Sequence, residues 1–426
     1  MCNYRKITLI VSLFIALQAN AQQSSVGTFS PYTFYGIGRL VSSQTTAQRA
    51  KGGVGVADYS FVEINPRNSA SYGRVARNTM LLDMGVNWGN FHQKSGDFRK
   101  TNNTVNLANV SLVAPLMKNC GVGFDLEPSS SVGYRVKYVG RVGDDVQSEP
   151  MVYDYQGEGG VTRWALGIGW CVAERLAVGV EMVLYNCSIT NSYSVYNSSL
   201  SGDEADNRLS VERNYTYAKL LVGVAVQWTV FEREGRRLVL GAKFEPEANC
   251  RSQTQQMIVA AKDTVSNTTE NQWFRLPSRW TAGLAWRTER WAVAADWELQ
   301  RWSRSFGMVR AENAEISWAN SSIVALGGEF TPKPNDVRNF WNSVTYRVGV
   351  RYDGGYLVDS GRRLKTRTLC VGVGLPLKRN SSINVAAEYG REGYDADGVI
   401  MTDFLGLSVG LSFFGTDDWF KRNKYK

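Results

Sequence analysis

From Met80 to Phe413 the chain alternates apolar and polar side chains in short runs separated by turn residues. Successive side chains of a strand point to opposite faces, so each run can be sorted by parity. In the first run Met80, Leu82, Met84, Val86 and Trp88 share one face, and Leu81, Asp83, Gly85, Asn87 and Gly89 the other. Residues 162–170 divide in the same way, with Trp164, Leu166, Ile168 and Trp170 opposing Arg163, Ala165, Gly167 and Gly169. A short link leads to Leu176, Val178, Val180, Met182 and Leu184 against Ala177, Gly179, Glu181, Val183 and Tyr185, and two such runs make a hairpin. Further hairpins are predicted for 220–230 with 238–244, 280–286 with 291–299, 323–330 with 344–352, and 369–375 with 383–389. Runs near 104–116, 120–133 and 148–160 and a last one at 404–413 bring the total to roughly fourteen strands, an even number as bacterial outer-membrane barrels require. One face suits lipid and the other a wet lumen. The expected fold is all-β: a transmembrane antiparallel barrel of about fourteen strands.

The connections alternate as well. Short links are separated by long polar stretches at 188–213, 251–271 and 353–365, the pattern of short periplasmic turns and long outer loops. Trp170, Trp228 and Trp286 end their runs just before a short turn and Trp291 follows one, all with lipid-facing parity. An indole whose N–H wants water while its ring wants hydrocarbon belongs at a membrane interface. A soluble sandwich would also bury tryptophans, but it would not need so many two-faced strands in succession.

Residues 22–78 break the alternation. They hold an aromatic opening that includes Phe29, Tyr32, Phe34 and Tyr35, a glycine-dense stretch from Ala47 to Ala57, and Ile64-Asn65-Pro66-Arg67. A non-strand segment ahead of a closed sheet reads as its plug. Before it, Arg5 and Lys6, an apolar run from Ile7 to Leu17, and Ala19-Asn20-Ala21 form the pattern of a secretory signal. The expected organisation is a signal peptide at 1–21, a plug or hatch at 22–78, a barrel at 79–414, and a periplasmic tail at 415–426. The last run, with Phe404, Gly406, Val409, Leu411 and Phe413, resembles the insertion signal read by the barrel-assembly machinery. The predicted location is the outer membrane of a Gram-negative bacterium, in contact with outer-membrane lipid and lipopolysaccharide.

Aromatic residues at 12% and 41 glycines favour strands and close backbone contacts. The formal charge of +9 is dispersed along the chain. It argues against nucleic-acid binding and favours contact with anionic headgroups. Behind the signal Cys120, Cys171, Cys187, Cys250 and Cys370 remain, an odd number without a CxxC, so free thiols are expected. The single histidine, His92, lies at the upper end of the first run with lipid-facing parity and reads as a rim residue rather than a base. Neither a metal-ligand cluster nor a phosphate loop is present, since Gly52-Gly53-Val54-Gly55 lacks the lysine-serine ending. No enzyme and no cofactor are expected.

The inward parity class is rich in charge: Asp83, Asp125, Glu127, Arg163, Glu181, Lys243, Glu245, Asp296, Glu298, Glu329, Arg347, Arg351 and Glu388. Unpaired buried charge is costly, so these groups should form ion pairs with one another and with the plug.

Several stretches carry a resemblance: Ala50-Lys51-Gly52-Gly53-Val54-Gly55-Val56-Ala57, Asn65-Pro66, Leu276-Pro277, Ala295-Asp296-Trp297 through Trp302, Gly327-Gly328-Glu329-Phe330-Thr331-Pro332, Tyr346-Arg347-Val348-Gly349, and Gly372-Val373-Gly374-Leu375-Pro376. In them the chain resembles the long-chain fatty-acid transporter family of outer-membrane proteins, in its divergent Bacteroidota-type branch. Arg67 stands where that family commonly has alanine. The resemblance implies a fourteen-stranded barrel, a hatch, and transport of hydrophobic, fatty-acid-like molecules with lateral exit through a kinked third strand. Pro128, followed by Ser129, Ser130 and Ser131, is the candidate kink, because proline cannot complete a strand ladder. Phe29, Tyr32, Phe34, Tyr35, Asn65 and Pro66 are candidates to line or gate the route. The charged lumen fits a sealed barrel better than a greasy tunnel. The alternative is a non-transporting subunit or scaffold of an outer-membrane complex, such as a type IX secretion attachment or shuttle component, using its long loops to meet protein partners.

Overall fold

The computed structural model describes residues 27–95, 98–141, 150–197, 208–260, 263–305, 316–334, 338–359, 361–377, 380–393 and 400–416. The expected signal peptide, and the tail beyond Thr416, lie outside these residues. A first short strand, β1 (Arg39–Leu40), belongs to the segment that precedes the barrel. The wall is then laid down in chain order: β2 (Thr79–Ser95), β3 (Phe98–Met117), β4 (Cys120–Arg141), β5 (Pro150–Ala173), β6 (Leu176–Asn197), β7 (Leu209–Arg233), β8 (Arg236–Glu245), β9 (Ala248–Ala260), β10 (Asp263–Leu276), β11 (Arg279–Arg287) and β12 (Trp291–Gln300). After β13 (Ile316–Trp318) come β14 (Ser321–Phe330), β15 (Thr345–Asp353), β16 (Leu357–Asp359), β17 (Arg362–Arg363), β18 (Thr366–Pro376), β19 (Ser382–Glu392) and β20 (Met401–Thr416).

Neighbours in sequence pair antiparallel, and β2 pairs with β20 to close the sheet. The barrel has fourteen strands, with the hairpin β9–β10 prolonging β8 and β11 beyond the breaks at Pro246 and Pro277. Side chains follow the expected parity. Along β5 to β7 Leu166, Ile168, Val180, Met182, Leu220, Val222 and Val224 are exposed to lipid, while Arg163, Ala165, Glu181 and Val183 are buried inside. Trp228 and Trp291, 50% and 55% exposed, sit on the outer surface beside the short turns, as interfacial indoles should.

Four sequence expectations change. The runs at 148–160 and 162–170 are one strand, β5, bent at Gly159 and Gly160, whose φ values of +106 and +151 are open to glycine. Within the stretch 188–213, residues 188–197 and 209–213 are strand, because β6 and β7 stay paired up to Val195 and Leu209. Likewise 251–271 is the paired hairpin β9–β10. The outward positions of both extensions are mostly polar, among them Ser188, Thr190, Ser192, Ser194, Arg251, Gln253 and Gln255, so they lack the lipid-facing parity that marks a membrane strand. Within the expected connection 353–365, β16 and β17 join β13 in a separate three-stranded sheet.

One part of the wall is not closed by its neighbours. β3 and β4 pair only from Val110↔Leu126 down to Met117↔Cys120. Above that level β3 holds only β2 and β4 holds only β5, with a bulge in β4 between Pro128 and Ser130. The segment ahead of the barrel supplies the missing partners. β1 pairs with Ser130 and Ser131, Val41 N donates to Ser129 O (2.9 Å), and Ser30 N donates to Gly133 O (2.9 Å).

Residues 27–78 fill the inside through two 3-10 turns (Pro31–Phe34 and Ser69–Arg74) and one short helix, Thr46–Arg49, closed by a capping box between Thr45 and Gln48. Wall glycines let this backbone touch the sheet. A Cβ at Gly349 or Gly327 would strike the backbone of Lys51, which is why those inward positions carry none.

Candidate functional site

The lumen has two chemically distinct parts. In the part nearer the short turns, inward charges from adjacent strands meet charges carried by the plug. Arg163, 1% exposed, donates to Glu127 Oε1 and Glu181 Oε1, both at 2.9 Å. Lys243 Nζ lies 2.6 Å from Glu181 and 3.1 Å from Glu245, and the Tyr185 hydroxyl donates to Glu245 (2.7 Å). Arg279 joins this cluster to Glu298 at 3.3 Å. The plug enters the network at four places. Lys51 Nζ sits 3.0 Å from Glu329 and 3.1 Å from Asp58, and Arg287 clasps Asp58 (2.9 Å) and Glu329 (2.7 Å). Arg67 reaches Asp296 (3.3 Å) and Glu298 (3.4 Å), Arg49 reaches Glu388 (3.0 Å), and Glu63 reaches Arg347 (2.8 Å). Asp296 also accepts from the backbone N–H of Gly55 (2.8 Å) and Val56 (3.1 Å).

These surroundings fix the charge states of the plug. Burial works against the Lys51 ammonium, but Glu329 and Asp58 outweigh it and raise its pKa above the ordinary lysine value. Asp58 is likewise buried, yet Arg287 and Lys51 hold its carboxyl below the usual carboxylate range. Burial, then the Asp125 carboxylate that accepts its hydrogen bond, pushes the Tyr72 phenol well up. Pairs of this kind contribute little net stability, but breaking one strands the other charge, so they specify a single seating of the plug.

The outer part is apolar. Tyr32, Ile37, Val132, Tyr134, Val161, Tyr185, Ile189, Tyr217, Phe274, Trp302 and Tyr356 pack into one cluster. Trp318 and Trp302 lie against the Tyr356 ring at 5.6 and 4.6 Å, and the Tyr356 hydroxyl donates to Gly38 O (2.6 Å). Between the two parts lies a cavity of about 150 Å³, lined among others by Arg39, Arg49, Arg351, Glu388, Glu392 and Phe404. Its volume suits one small ring. Its lining does not, because Arg39 faces Glu392 at 3.9 Å and an apolar guest would desolvate both.

The residues singled out from sequence divide between these regions. Tyr32 is buried in the apolar cluster, where its hydroxyl accepts from Ile400 N (3.1 Å), and Phe34 makes edge contacts with Tyr35 and Tyr134. Phe29 is half-buried outside that cluster, its carbonyl accepting from Gln93 Nε2 (3.1 Å). Asn65 and Pro66 are not with these aromatics. Asn65 is a hub inside the plug, accepting from Gln48 Nε2 (2.8 Å) and donating to the carbonyls of Gly55 and Asp58. Pro128 stands at the bulge where β3 and β4 part. Of the lumen charges, Arg163 meets Glu181 and Arg347 meets Glu329, whereas Asp83 is held by the neutral donors Asn109 and Ser412. Arg351 faces Asp353 at 4.0 Å. Parity analysis did not single out Lys51, Asp58, Arg49 and Glu63, which lie in a non-periodic segment. Arg67, in place of the alanine common in the resembled family, was the one visible signal, and its wall partners Asp296 and Glu298 account for it.

No curated protein matches the chain. Among solved structures it is similar to a toluene transporter, TodX, of Pseudomonas putida (16% identity, 89% of this chain and 99% of that one, TM-score 0.57). It is also similar to a FadL homologue from Pseudomonas aeruginosa (12%, 89% and 100%, TM-score 0.60) and to the toluene transporter TbuX of Ralstonia pickettii (14%, 87% and 97%, TM-score 0.58). At these identities the shared property is the fold alone, that of an integral outer-membrane β-barrel. A family model described as BamG matches residues 3–426, nearly the whole length, and the chain therefore belongs to the BamG family.

Proposed function

We propose that this chain is a plugged, non-conducting barrel that serves as a subunit of the outer-membrane barrel-assembly machinery, an association at which the family's name hints. The observation that carries this reading is the filled lumen. Lys51, Asp58, Glu63, Arg67 and Arg49 are each ion-paired to the wall, and the outer part is packed with the protein's own aromatics. A barrel so filled acts through its outer wall, its loops and its periplasmic rim.

A second reading has its own support. Two of the similar solved structures are named as toluene transporters and the third as a FadL homologue. The parting of β3 from β4 at Pro128 offers a lateral route for a hydrophobic, fatty-acid-like molecule. Passage would require β1 to leave Ser130 and Ser131, with Phe29, Tyr32, Phe34 and Tyr35 moving as the gate.

Purification of the tagged full chain from its own outer membrane in mild detergent, followed by native mass spectrometry, tests both. Stoichiometric recovery of the assembly machinery's central barrel subunit is the expected result. A lone chain carrying an apolar ligand would overturn the subunit reading in favour of transport. Recovery of type IX secretion components instead would place the barrel in that complex.

A further inference from the structure

The outer ends of β2, β3 and β4 gather positive charge on the outside of the wall. Lys94 and Arg99 are directly opposite one another in the β2–β3 register, and both are exposed. Across the gap between β3 and β4, Lys100 Nζ donates to the carbonyl of Arg135 (3.1 Å), which sets Arg135 level with them. Arg135 and Lys137 follow on β4, their side chains 52% and 46% exposed. Among the described residues the nearby acids are Asp154, already held by Lys137 (2.8 Å) and Arg135 (3.9 Å), Glu158 on the same strand, and Asp403, held by Arg391 (2.6 Å). Like charges placed opposite one another in a ladder repel. Lys94 facing Arg99 is therefore a pair that an anion between them would stabilise.

The height of the patch identifies the anion. On the same outer face Trp88 pairs with Val105, which is 64% exposed and faces lipid. Above it Asn90 bonds Asn103 (2.7 Å) and His92 bonds Thr101 (2.9 Å), and the next outward pair is Lys94 with Arg99. Six residues at strand rise and barrel tilt lift that pair roughly 15 Å above the apolar band. At that height the outer leaflet presents saccharide and phosphate rather than acyl chain.

We infer that Lys94, Arg99, Arg135 and Lys137 form a binding site for the phosphorylated saccharide of an outer-leaflet glycolipid, spanning the gap between β3 and β4. Guanidinium groups grip phosphate oxygens two at a time, and the ammonium groups add unoriented charge. A glycolipid held there covers the part of the wall that lacks interstrand hydrogen bonds.

The test uses the full chain in phospholipid nanodiscs with three probes: purified lipopolysaccharide, the same lipopolysaccharide after enzymatic dephosphorylation, and inorganic phosphate. Saturable binding of the intact glycolipid is expected, weakened at least tenfold by dephosphorylation and by the combined Lys94→Gln, Arg99→Gln, Arg135→Gln and Lys137→Gln substitutions. High salt should weaken it as well. Inorganic phosphate binding as tightly as the glycolipid would overturn the lipid assignment. Equal affinity of wild type and variant, or indifference to dephosphorylation, would overturn the site. A heat-sensitive gel shift verifies that each variant is folded, and the single substitutions Lys94→Gln and Arg99→Gln serve if the combined variant is not. Arg213→Gln with Arg251→Gln, elsewhere on the rim, should leave binding unchanged.

Discussion

The two parts of the lumen are filled on opposite principles. Around Tyr185, Tyr217, Ile189 and Phe274 the wall packs largely against itself, joined by Tyr32 and Ile37 from the plug. Around Arg163, Lys51 and Asp58 nothing apolar could fill the space without stranding a charge, and each residue has named partners. Apolar packing is tolerant of exchange at similar volume, whereas a buried ionic network is not. The difference teaches where the plug is merely accommodated and where its position is dictated.

The sharpest way to break that contrast is Arg163→Met. It leaves Glu127 uncompensated and strips Glu181 and Glu245 of one of their cations, and should lower the stability of the refolded barrel by about 3–5 kcal/mol, read as a shifted urea midpoint in detergent. Adding Glu127→Gln and Glu181→Gln should restore most of the loss. A single variant as stable as wild type would mean that the network holds nothing.

Asp58→Asn comes next and probes the plug itself. It deprives Lys51 and Arg287 of a shared carboxylate, a loss of about 1–3 kcal/mol, and should admit ion conductance in planar bilayers that the wild type lacks. The pH dependence has a definite sign. Because the folded-state pKa of Asp58 lies below its ordinary 3.8, its contribution is complete above that value and disappears as the pH falls through the lowered one. Wild type should thus stay closed at pH 5 and start to leak only once the pH falls below the ordinary 3.8, while Asp58→Asn conducts at both. Equal conductance of the two proteins at pH 5 would count against the role given to this contact.

Gly349→Val should destabilise by about 1–3 kcal/mol by overpacking against Lys51, and the same change at Gly328, where the added carbon meets nothing nearer than 3.6 Å and φ is ordinary, controls for the loss of glycine without the plug clash. Ile189→Val in the apolar part is the mildest, at about 0.5–1.5 kcal/mol, with no conductance. If it opened the barrel, the assignment of closure to the ionic part would have to be reversed.

Much of the wall was legible from period-two alternation. Arg163, Glu181, Asp296, Glu329 and Arg347 face inward as their parity requires, since a one-residue slip would have carried every one of them into lipid. The extensions at 188–213 and 251–271 carry no strand signal because, above the membrane, serine, threonine, asparagine and tyrosine serve either face equally well. The plug's half of the ionic network was not readable. Lys51, Asp58 and Glu63 sit in an aperiodic segment, and no spacing rule connects Lys51 to Glu329. Pro128 marked the place where β4 departs from β3, but nothing local to it indicates that β1, from a remote part of the chain, lies against the opening.

The contact of β1 with Ser130 and Ser131 bears on the order of assembly. The stretch that supplies those hydrogen bonds is translated before any barrel strand, yet the edge it covers does not exist until β4 has formed. Lys51, Arg67 and Arg49 pair with Glu329, Asp296 and Glu388 on three different strands, so their seat is complete only when those strands stand together. The first part of the chain must therefore wait in place while the strands are drawn around it, and the meeting of β2 with β20 locks it in.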